Sequence, residues 1–213
     1  MNDGRKTFVW RITKLSAIIA IPFSTVMFFY STQIMQLFGD EYGQGALFLQ
    51  IMVLATLPSQ IASGVSTLSY SYGKYKQVLG ITVAGNLARV VLFLALTPAY
   101  GATGAALSYT LGAVASLIVS VIVSKKIGLN IFWKVILLTF AVPFALAYLL
   151  SYFEVPFILA IIISVLGSYL SFLRLHVLTK ADIEDSIEVL PSTVAKSTLN
   201  MINRIGKRLD PSY

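Results

Sequence analysis

The feature that most constrains this chain is a series of long apolar blocks separated by short polar segments. Each block approaches the roughly 20 residues that a helix needs to cross the hydrocarbon core of a bilayer. Hydrophobic residues make up 57% of the chain and charged residues 12%, whereas soluble domains carry about 25% charge. Because so few charges cannot cover a water-facing surface, the sequence predicts an all-α, polytopic membrane helix bundle.

Six transmembrane helices are predicted within residues 1–178. They cover about 15–38, 46–70, 78–98, 102–123, 132–152 and 156–173. Three of these spans have an internal proline (Pro22, Pro58 and Pro143), which membrane helices tolerate where neighbours satisfy the freed carbonyl group. Residues 179–213 are predicted to form a cytoplasmic tail with a basic amphipathic helix at about 192–209, lying on the inner leaflet. A partly disordered, solvated tail is the alternative.

Lys and Arg alternate along the chain in a way that predicts its orientation. They precede the first span, lie between spans two and three and between four and five, and follow the sixth, whereas the other loops have none. The positive-inside rule then puts both termini in the cytoplasm. The net charge of +7 is concentrated at span ends, where it would contact anionic lipid headgroups. We therefore expect a multi-pass protein of the cytoplasmic membrane, with membrane lipids and no nucleic acid as partners.

Arg89 is the one charged residue predicted to lie away from the ends of a span, about halfway through the bilayer. A charge at that depth costs at least about 2.5–3.5 kcal/mol on insertion scales and usually faces a bundle interior or an aqueous cavity. Thr82 and Asn86 lie close to the same helical face. A guanidinium offers paired donors to phosphate oxygens, which favours an anionic substrate. A structural Arg bonded to backbone carbonyls, or one that lines water without a ligand, is the alternative.

Two further spans carry small or polar residues at helical spacing. The second span has a polar stripe that either lines a wet cavity or joins helices by hydrogen bonds; it contains Thr56, Gln60, Ser63, Thr67 and Tyr70. Within this stripe Gln60 is the residue most expected to reach a ligand. The fourth span has a small-residue ridge, which predicts close helix packing; it contains Ser108, Gly112, Ser116, Ser120 and Ser124. The candidate substrate-binding residues are Arg89, Asn86, Gln60, Thr82 and Ser63.

Several kinds of chemistry are excluded by what the sequence lacks. There is no cysteine for a disulfide or a thiolate, and a single histidine cannot form a multi-histidine metal site. No Asp or Glu falls inside a predicted span, so these helices lack the carboxylate that commonly couples transport to protons or sodium. No nucleophile–base pair is evident. We therefore expect no catalytic site, no metal and no cofactor.

Four short segments follow one another along the chain: Leu37-Phe38-Gly39-Asp40-Glu41-Tyr42; Tyr72-Gly73-Lys74; Asn86 with Pro98-Ala99-Tyr100-Gly101-Ala102-Thr103-Gly104-Ala105-Ala106-Leu107; and Leu178-Thr179-Lys180-Ala181-Asp182. Their order and spacing resemble the polysaccharide flippases of the multidrug/oligosaccharidyl-lipid/polysaccharide exporter superfamily. Such flippases commonly have fourteen helices, and this chain looks like helices nine to fourteen, the carboxyl-terminal part.

The resemblance implies a function and a set of partners. The substrate would be a lipid-linked sugar pyrophosphate, moved across the membrane by alternating access. The partner would be a separate or missing N-terminal half. In the family, basic residues in the cavity are implicated in holding the pyrophosphate, and Arg89 is the candidate in this sequence. The alternatives are a multidrug exporter of the same superfamily and a non-transporting membrane scaffold or partner subunit.

Overall fold

The structure, a computed structural model, describes residues 2–175 and 177, and this part of the chain folds into helices without strands. The α-helices are α1 (Asn2–Phe29), α2 (Ser31–Gln36), α3 (Ala46–Val53), α4 (Thr56–Ser71), α5 (Tyr75–Ile127), α6 (Trp133–Tyr152) and α7 (Phe157–Arg174). A 3-10 helix, Asp40–Gly45, joins α2 to α3. The predicted tail at 179–213, with its amphipathic helix at 192–209, lies outside the described residues.

Five helical segments are long and apolar enough to cross a membrane: Gly4–Phe29, Asp40–Ser71, Tyr75–Ile127, Trp133–Tyr152 and Phe157–Arg174. The all-α prediction is confirmed for the described residues, and these segments indicate a multi-pass membrane protein. The number differs from the six predicted spans because the third and fourth predicted spans both fall within α5.

The helix α5 is a hairpin of two helical arms, which we call the first arm (75–100) and the second arm (102–127). Gly101, between them, has φ 56° and ψ −134°, which is not helical. A positive φ is readily adopted by glycine, because glycine lacks a Cβ atom. The arms lie side by side, since the Ser116 hydroxyl donates to the carbonyl oxygen of Ile81 at 3.4 Å. A turn is therefore present between the predicted spans 78–98 and 102–123.

The first two predicted spans are each broken into two helices. Tyr30, with φ −103° and ψ 17°, separates α1 from α2, and Leu54 and Ala55 separate α3 from α4. Pro58 contributes to the second break because it has no N–H to donate to the carbonyl of Leu54. In addition, α1 begins at Asn2, well before the predicted start of its span, so the helix includes the basic segment that precedes the apolar block.

The bundle is organised around α1. Helices α4, α6 and α7 pack against α1, and the two arms of α5 pack against α4 and α3. One cluster of buried apolar residues joins α1, α4 and α5 and includes Val9, Leu68 and Ile81. Two more clusters join α1 to α6 and α7 at different heights. Large apolar side chains such as Ile19 are exposed on the outside of the bundle, as expected for a surface that contacts lipid.

Charge is separated between the two ends of the bundle. At one end, Arg5 Nη1 donates to the carbonyl oxygen of Ser71 at 3.1 Å, and Lys6 Nζ lies beside Gly128, which follows α5. We call this the basic end, and it also carries Lys74, Lys76, Lys125, Lys126 and Lys134 at the helix termini. The loops at the opposite end contain Asp40, Glu41 and Glu154 and no Lys or Arg. The alternation of charge along the sequence thus becomes a difference between two ends of one bundle.

Candidate functional site

The two arms of α5 cross at a pair of glycines, and this crossing determines where Arg89 lies. A Cβ atom placed on Gly112 would come within 2.8 Å of the carbonyl oxygen of Gly85 and would overlap the Cγ atom of Arg89. The aliphatic part of the Arg89 side chain therefore passes directly over Gly112. Because small residues allow membrane helices to approach closely, the glycine pair lets Arg89 reach from the first arm across the second.

The predicted small-residue ridge packs inside the bundle. Ser108, Ser120 and Ser124 are at most 2% exposed, and each hydroxyl donates to a carbonyl group of its own helix. Ser116 instead bonds across to the first arm. The prediction that this ridge serves packing is confirmed.

The guanidinium of Arg89 contacts an aromatic ring. Its Cζ atom lies 4.5 Å from the centroid of the Tyr109 ring, within the distance of about 6 Å at which a cation is attracted to a ring face. Its Nε atom is buried and has no hydrogen-bond partner among the described residues. Neither α3 nor α5, the helices around it, contains an Asp or Glu. The ring of Tyr109 is therefore a partner for the positive charge of Arg89, and this contact does not use the hydrogen-bond donors of the guanidinium.

Arg89 and Tyr109 line an open groove between α3 and the two arms of α5. The groove has a volume of about 560 Å³, which lies within the usual range for small-molecule sites. Its lining consists of Phe48, Met52, Arg89, Val90, Phe93, Leu94, Ala102, Ala105, Ala106, Ser108 and Tyr109. It extends from Arg89 towards the Gly101 turn, a distance of about 18 Å along the first arm. The site thus combines one cation with a long apolar wall, an arrangement that suits an amphipathic anion.

Polar side chains hold α3, one wall of the groove, in place. The Thr110 hydroxyl donates to the carbonyl oxygen of Ile51 at 2.6 Å. The amide of Gln50 donates to the carbonyl oxygen of Phe28 at 3.2 Å and to the Ser31 hydroxyl at 3.0 Å. Both sets of bonds lie next to a helix break, where carbonyl groups lose their partners within the helix. These side chains therefore fix α3 to the second arm on one side and to the end of α1 on the other.

The other predicted site residues lie outside the groove. Thr82 and Asn86 are exposed on the first arm, and Ser63 is exposed on α4. None of the three lines the groove that contains Arg89. Arg89 is therefore the one predicted binding residue that faces this space.

Gln60 lines a different and much smaller cavity, between α1, α4 and α6. This cavity of about 20 Å³ is shared with Thr13, Lys14 and Thr139, and its size is sufficient for about one water molecule. Thr56, one turn earlier in the polar stripe, lies within hydrogen-bond distance of the Ser24 hydroxyl, at 3.1 Å. This part of the stripe joins α4 to α1, as the packing alternative predicted.

Tyr109 and the α3 wall were not predicted from the sequence. For Tyr109 a signal was present, because a hairpin brings together residues at similar distances on the two sides of its turn, and Gly101 lies between Arg89 and Tyr109. For Phe48 and Met52 there was no such signal, since an apolar residue that lines a groove cannot be distinguished by composition from one that contacts lipid.

Comparisons with known proteins found no relative of this chain. No protein-family model, no curated protein and no solved structure matches this chain.

Proposed function

We propose that this chain is part of a membrane flippase that translocates lipid-linked oligosaccharide or polysaccharide precursors across the cytoplasmic membrane, and that it acts in transport and not as an enzyme. The observation that carries the proposal is the position of Arg89, a half-buried cation in the middle of an apolar helix, at one end of an open apolar groove. A lipid-linked pyrophosphate combines the two chemistries that this groove matches, an anion and a long hydrocarbon chain. Arginine suits such an anion because its donors can pair with phosphate oxygens.

We further propose that the chain crosses the membrane six times, with both termini in the cytoplasm. Two observations support this topology: the reversal of α5 at Gly101 and the concentration of Lys and Arg at one end of the bundle. The chain has no native cysteine, so single-cysteine labelling is unambiguous. In intact cells, an impermeant maleimide should label Tyr100→Cys and should label Lys126→Cys only after permeabilisation. Labelling of both variants without permeabilisation would contradict the topology.

The exposed polar residues support a polar path for the head group. Thr82, Asn86 and Ser63 are exposed on apolar helices, and polar side chains at membrane depth usually face a protein partner or a water-filled cavity. We propose that they face a path shared with a second lobe, either a separate chain or a missing N-terminal half. Alternating access would then consist of movement of one lobe against the other. Only the head group needs such a path, because the lipid tail can stay in apolar surroundings.

The two alternatives are less well supported by the structure. A multidrug exporter with cationic substrates would place them beside Arg89, which repels them. A scaffold that used the small-residue ridge for partner binding would need that ridge exposed, but Ser108, Ser120 and Ser124 are buried within the bundle.

Reconstitution tests the proposed activity. The purified chain is incorporated into liposomes with a fluorescent lipid-linked sugar pyrophosphate, alone and together with a complementary N-terminal half, and transport is measured as protection of the fluorophore from dithionite. The variants are Arg89→Gln and Arg89→Lys. The matched control is Lys126→Gln, which removes one exposed cation at the basic end.

We expect Arg89→Gln to insert normally and to transport about 10- to 100-fold more slowly, the range given by the loss of a charge-assisted hydrogen bond. Arg89→Lys should keep part of the activity, because it keeps the charge but not the paired donors. Lys126→Gln should transport normally. Wild-type rates in Arg89→Gln would contradict the proposal.

A further inference from the structure

We infer that Tyr109 is a positioning residue for Arg89: its ring holds the guanidinium at the groove and leaves the terminal Nη donors available to a phosphate, whereas Nε is buried. The inference rests on the proposed function, because it concerns how the same site presents its cation. The contact that supports it is the 4.5 Å distance between Arg89 Cζ and the centroid of the Tyr109 ring.

The planar shape of a guanidinium makes an aromatic ring suitable for holding it in position. The group is planar, with two faces and an edge that carries its N–H donors. A carboxylate partner would bind the edge and compete with phosphate for the same donors. An aromatic ring attracts the cation by its π-face and accepts no conventional hydrogen bond, so the terminal Nη donors stay available. Since α3 and α5 contain no Asp or Glu, the helices that form the groove supply a ring and no competing carboxylate.

The second arm of α5 supplies both parts of a slot for the Arg89 side chain. Gly112 leaves room for the aliphatic part, which passes where a Cβ atom would otherwise be. Tyr109 is three residues earlier and therefore on the same face of the helix, where it receives the guanidinium. The Nε atom is buried between these two contacts. The slot thus restrains the side chain along its whole length.

This slot restrains the Arg89 side chain near the middle of the first arm. A long cationic side chain in a membrane helix tends to extend towards the nearest aqueous interface. The contact with Tyr109 opposes that movement and keeps the charge at the groove when no ligand is bound. A ligand then meets a cation that is already in position, and preorganisation of this kind increases affinity by reducing the entropy lost on binding.

The first test measures the contact without any ligand. In ¹⁵N-labelled protein in micelles, the Arg89 Nε–H signal is identified by its absence in Arg89→Lys. A ring above the guanidinium shifts this signal away from the position of a free arginine. We expect the shift in wild type and in Tyr109→Phe, which keeps the ring, and its loss in Tyr109→Leu. An unchanged signal in Tyr109→Leu would overturn the inference whatever the protein transports.

The second test measures binding of farnesyl diphosphate, a soluble probe with an apolar chain and a pyrophosphate. Tyr109→Leu should bind it about 2- to 30-fold more weakly than wild type, the range that corresponds to one cation–π contact, and Tyr109→Phe should restore binding. In an Arg89→Gln background, Tyr109→Leu should have no further effect, because the residue acts through Arg89. The matched control is Tyr152→Leu, at an exposed tyrosine at the far end of α6, which should bind like wild type.

Phenylalanine analogues with one, two and three ring fluorines at position 109 provide a test that preserves side-chain shape. Fluorine withdraws charge from the ring face, so binding should weaken stepwise with each atom. Equal binding across the series would overturn the positioning role, as would an equal effect of Tyr109→Leu with and without Arg89. If wild type and Arg89→Gln bind the probe equally, the proposed function itself fails, and the inference built on it fails with it. A binding defect in Arg89→Gln without one in Tyr109→Leu overturns the inference alone.

Discussion

Replacing Gly112 with alanine tests how closely the two arms of α5 are packed. The added methyl group would lie 2.8 Å from the carbonyl oxygen of Gly85, and it would overlap Cγ of Arg89. Both obstacles are close to the backbone of the first arm, so rotation of a flexible side-chain end cannot remove them. The arms must therefore move apart, and Arg89 must leave its slot over Gly112.

The size of the effect follows from the distances. Carbon atoms in good contact are about 3.5–4.0 Å apart, so the arms would separate by roughly 0.7 Å, and a gap of that size forfeits about a quarter to a half of each contact energy. Overpacking of this kind destabilises a protein by about 1–3 kcal/mol. Replacing glycine with alanine in a helix also stabilises the folded state by about 0.5–1 kcal/mol, because alanine loses less backbone entropy on folding. This gain offsets part of the loss from overpacking.

Gly80→Ala is the matched control, because Gly80 lies on the first arm and a Cβ atom there has nothing within 4 Å. It should show the gain in helix propensity without the clash. The free energy of unfolding, measured by titration with a denaturing detergent in mixed micelles, should therefore be lower for Gly112→Ala than for Gly80→Ala by about 1–3 kcal/mol. Equal unfolding free energies for the two variants would show that the arms are not in close contact, and the position of Arg89 derived from that contact would be wrong.

Three further predictions concern hydrogen bonds and use the same unfolding measurement. Gln50→Leu removes the donor that reaches the Phe28 carbonyl. It should lower the free energy of unfolding by about 1 kcal/mol, a typical value for a hydrogen bond between membrane helices. An unchanged value would indicate that the break between α1 and α2 does not depend on the Gln50 side chain. Thr110→Val keeps the side-chain shape but removes the bond to the Ile51 carbonyl, and a loss of about 0.6–1.7 kcal/mol is expected. Ser120→Ala removes a hydroxyl bonded within its own helix and no bond between helices, so it should change stability by less than the average of about 0.6 kcal/mol for a bond between membrane helices; a loss as large as that of Thr110→Val would contradict this distinction.

Much of the helical organisation could be predicted from the sequence, because the signals involved are local. Predicted spans at 132–152 and 156–173 correspond to Trp133–Tyr152 and Phe157–Arg174, since a long apolar run in hydrocarbon must satisfy its own backbone hydrogen bonds, which a helix does. The turn near Gly101 was also visible, from a proline and glycines between two apolar runs. The breaks at Tyr30 and at Leu54 were not predicted, because short polar segments and prolines also occur within continuous membrane helices.

The candidate site was predicted only in part. Arg89 was identified because a charged residue inside an apolar segment is costly in a membrane and therefore indicates a functional or structural role. Asn86 was grouped with Arg89, and Gln60 with the polar stripe of its own span, because helical spacing shows which residues of one helix share a face, but spacing says nothing about which neighbour that face meets. In the structure Gln60 meets α1 and α6, away from the groove.

The sequence by itself determined that the chain is helical and suited to a membrane, where its apolar segments lie, and that its charges collect at their ends. These properties depend on composition along short stretches of chain. Only the tertiary structure decided that Arg89 rests on Tyr109, that α3 closes one side of the groove, and that the small-residue ridge is buried. The physical reason is that lipid and protein interior are equally apolar, so hydropathy cannot separate inward from outward faces. That assignment comes from backbone approach and hydrogen bonds between helices distant in sequence.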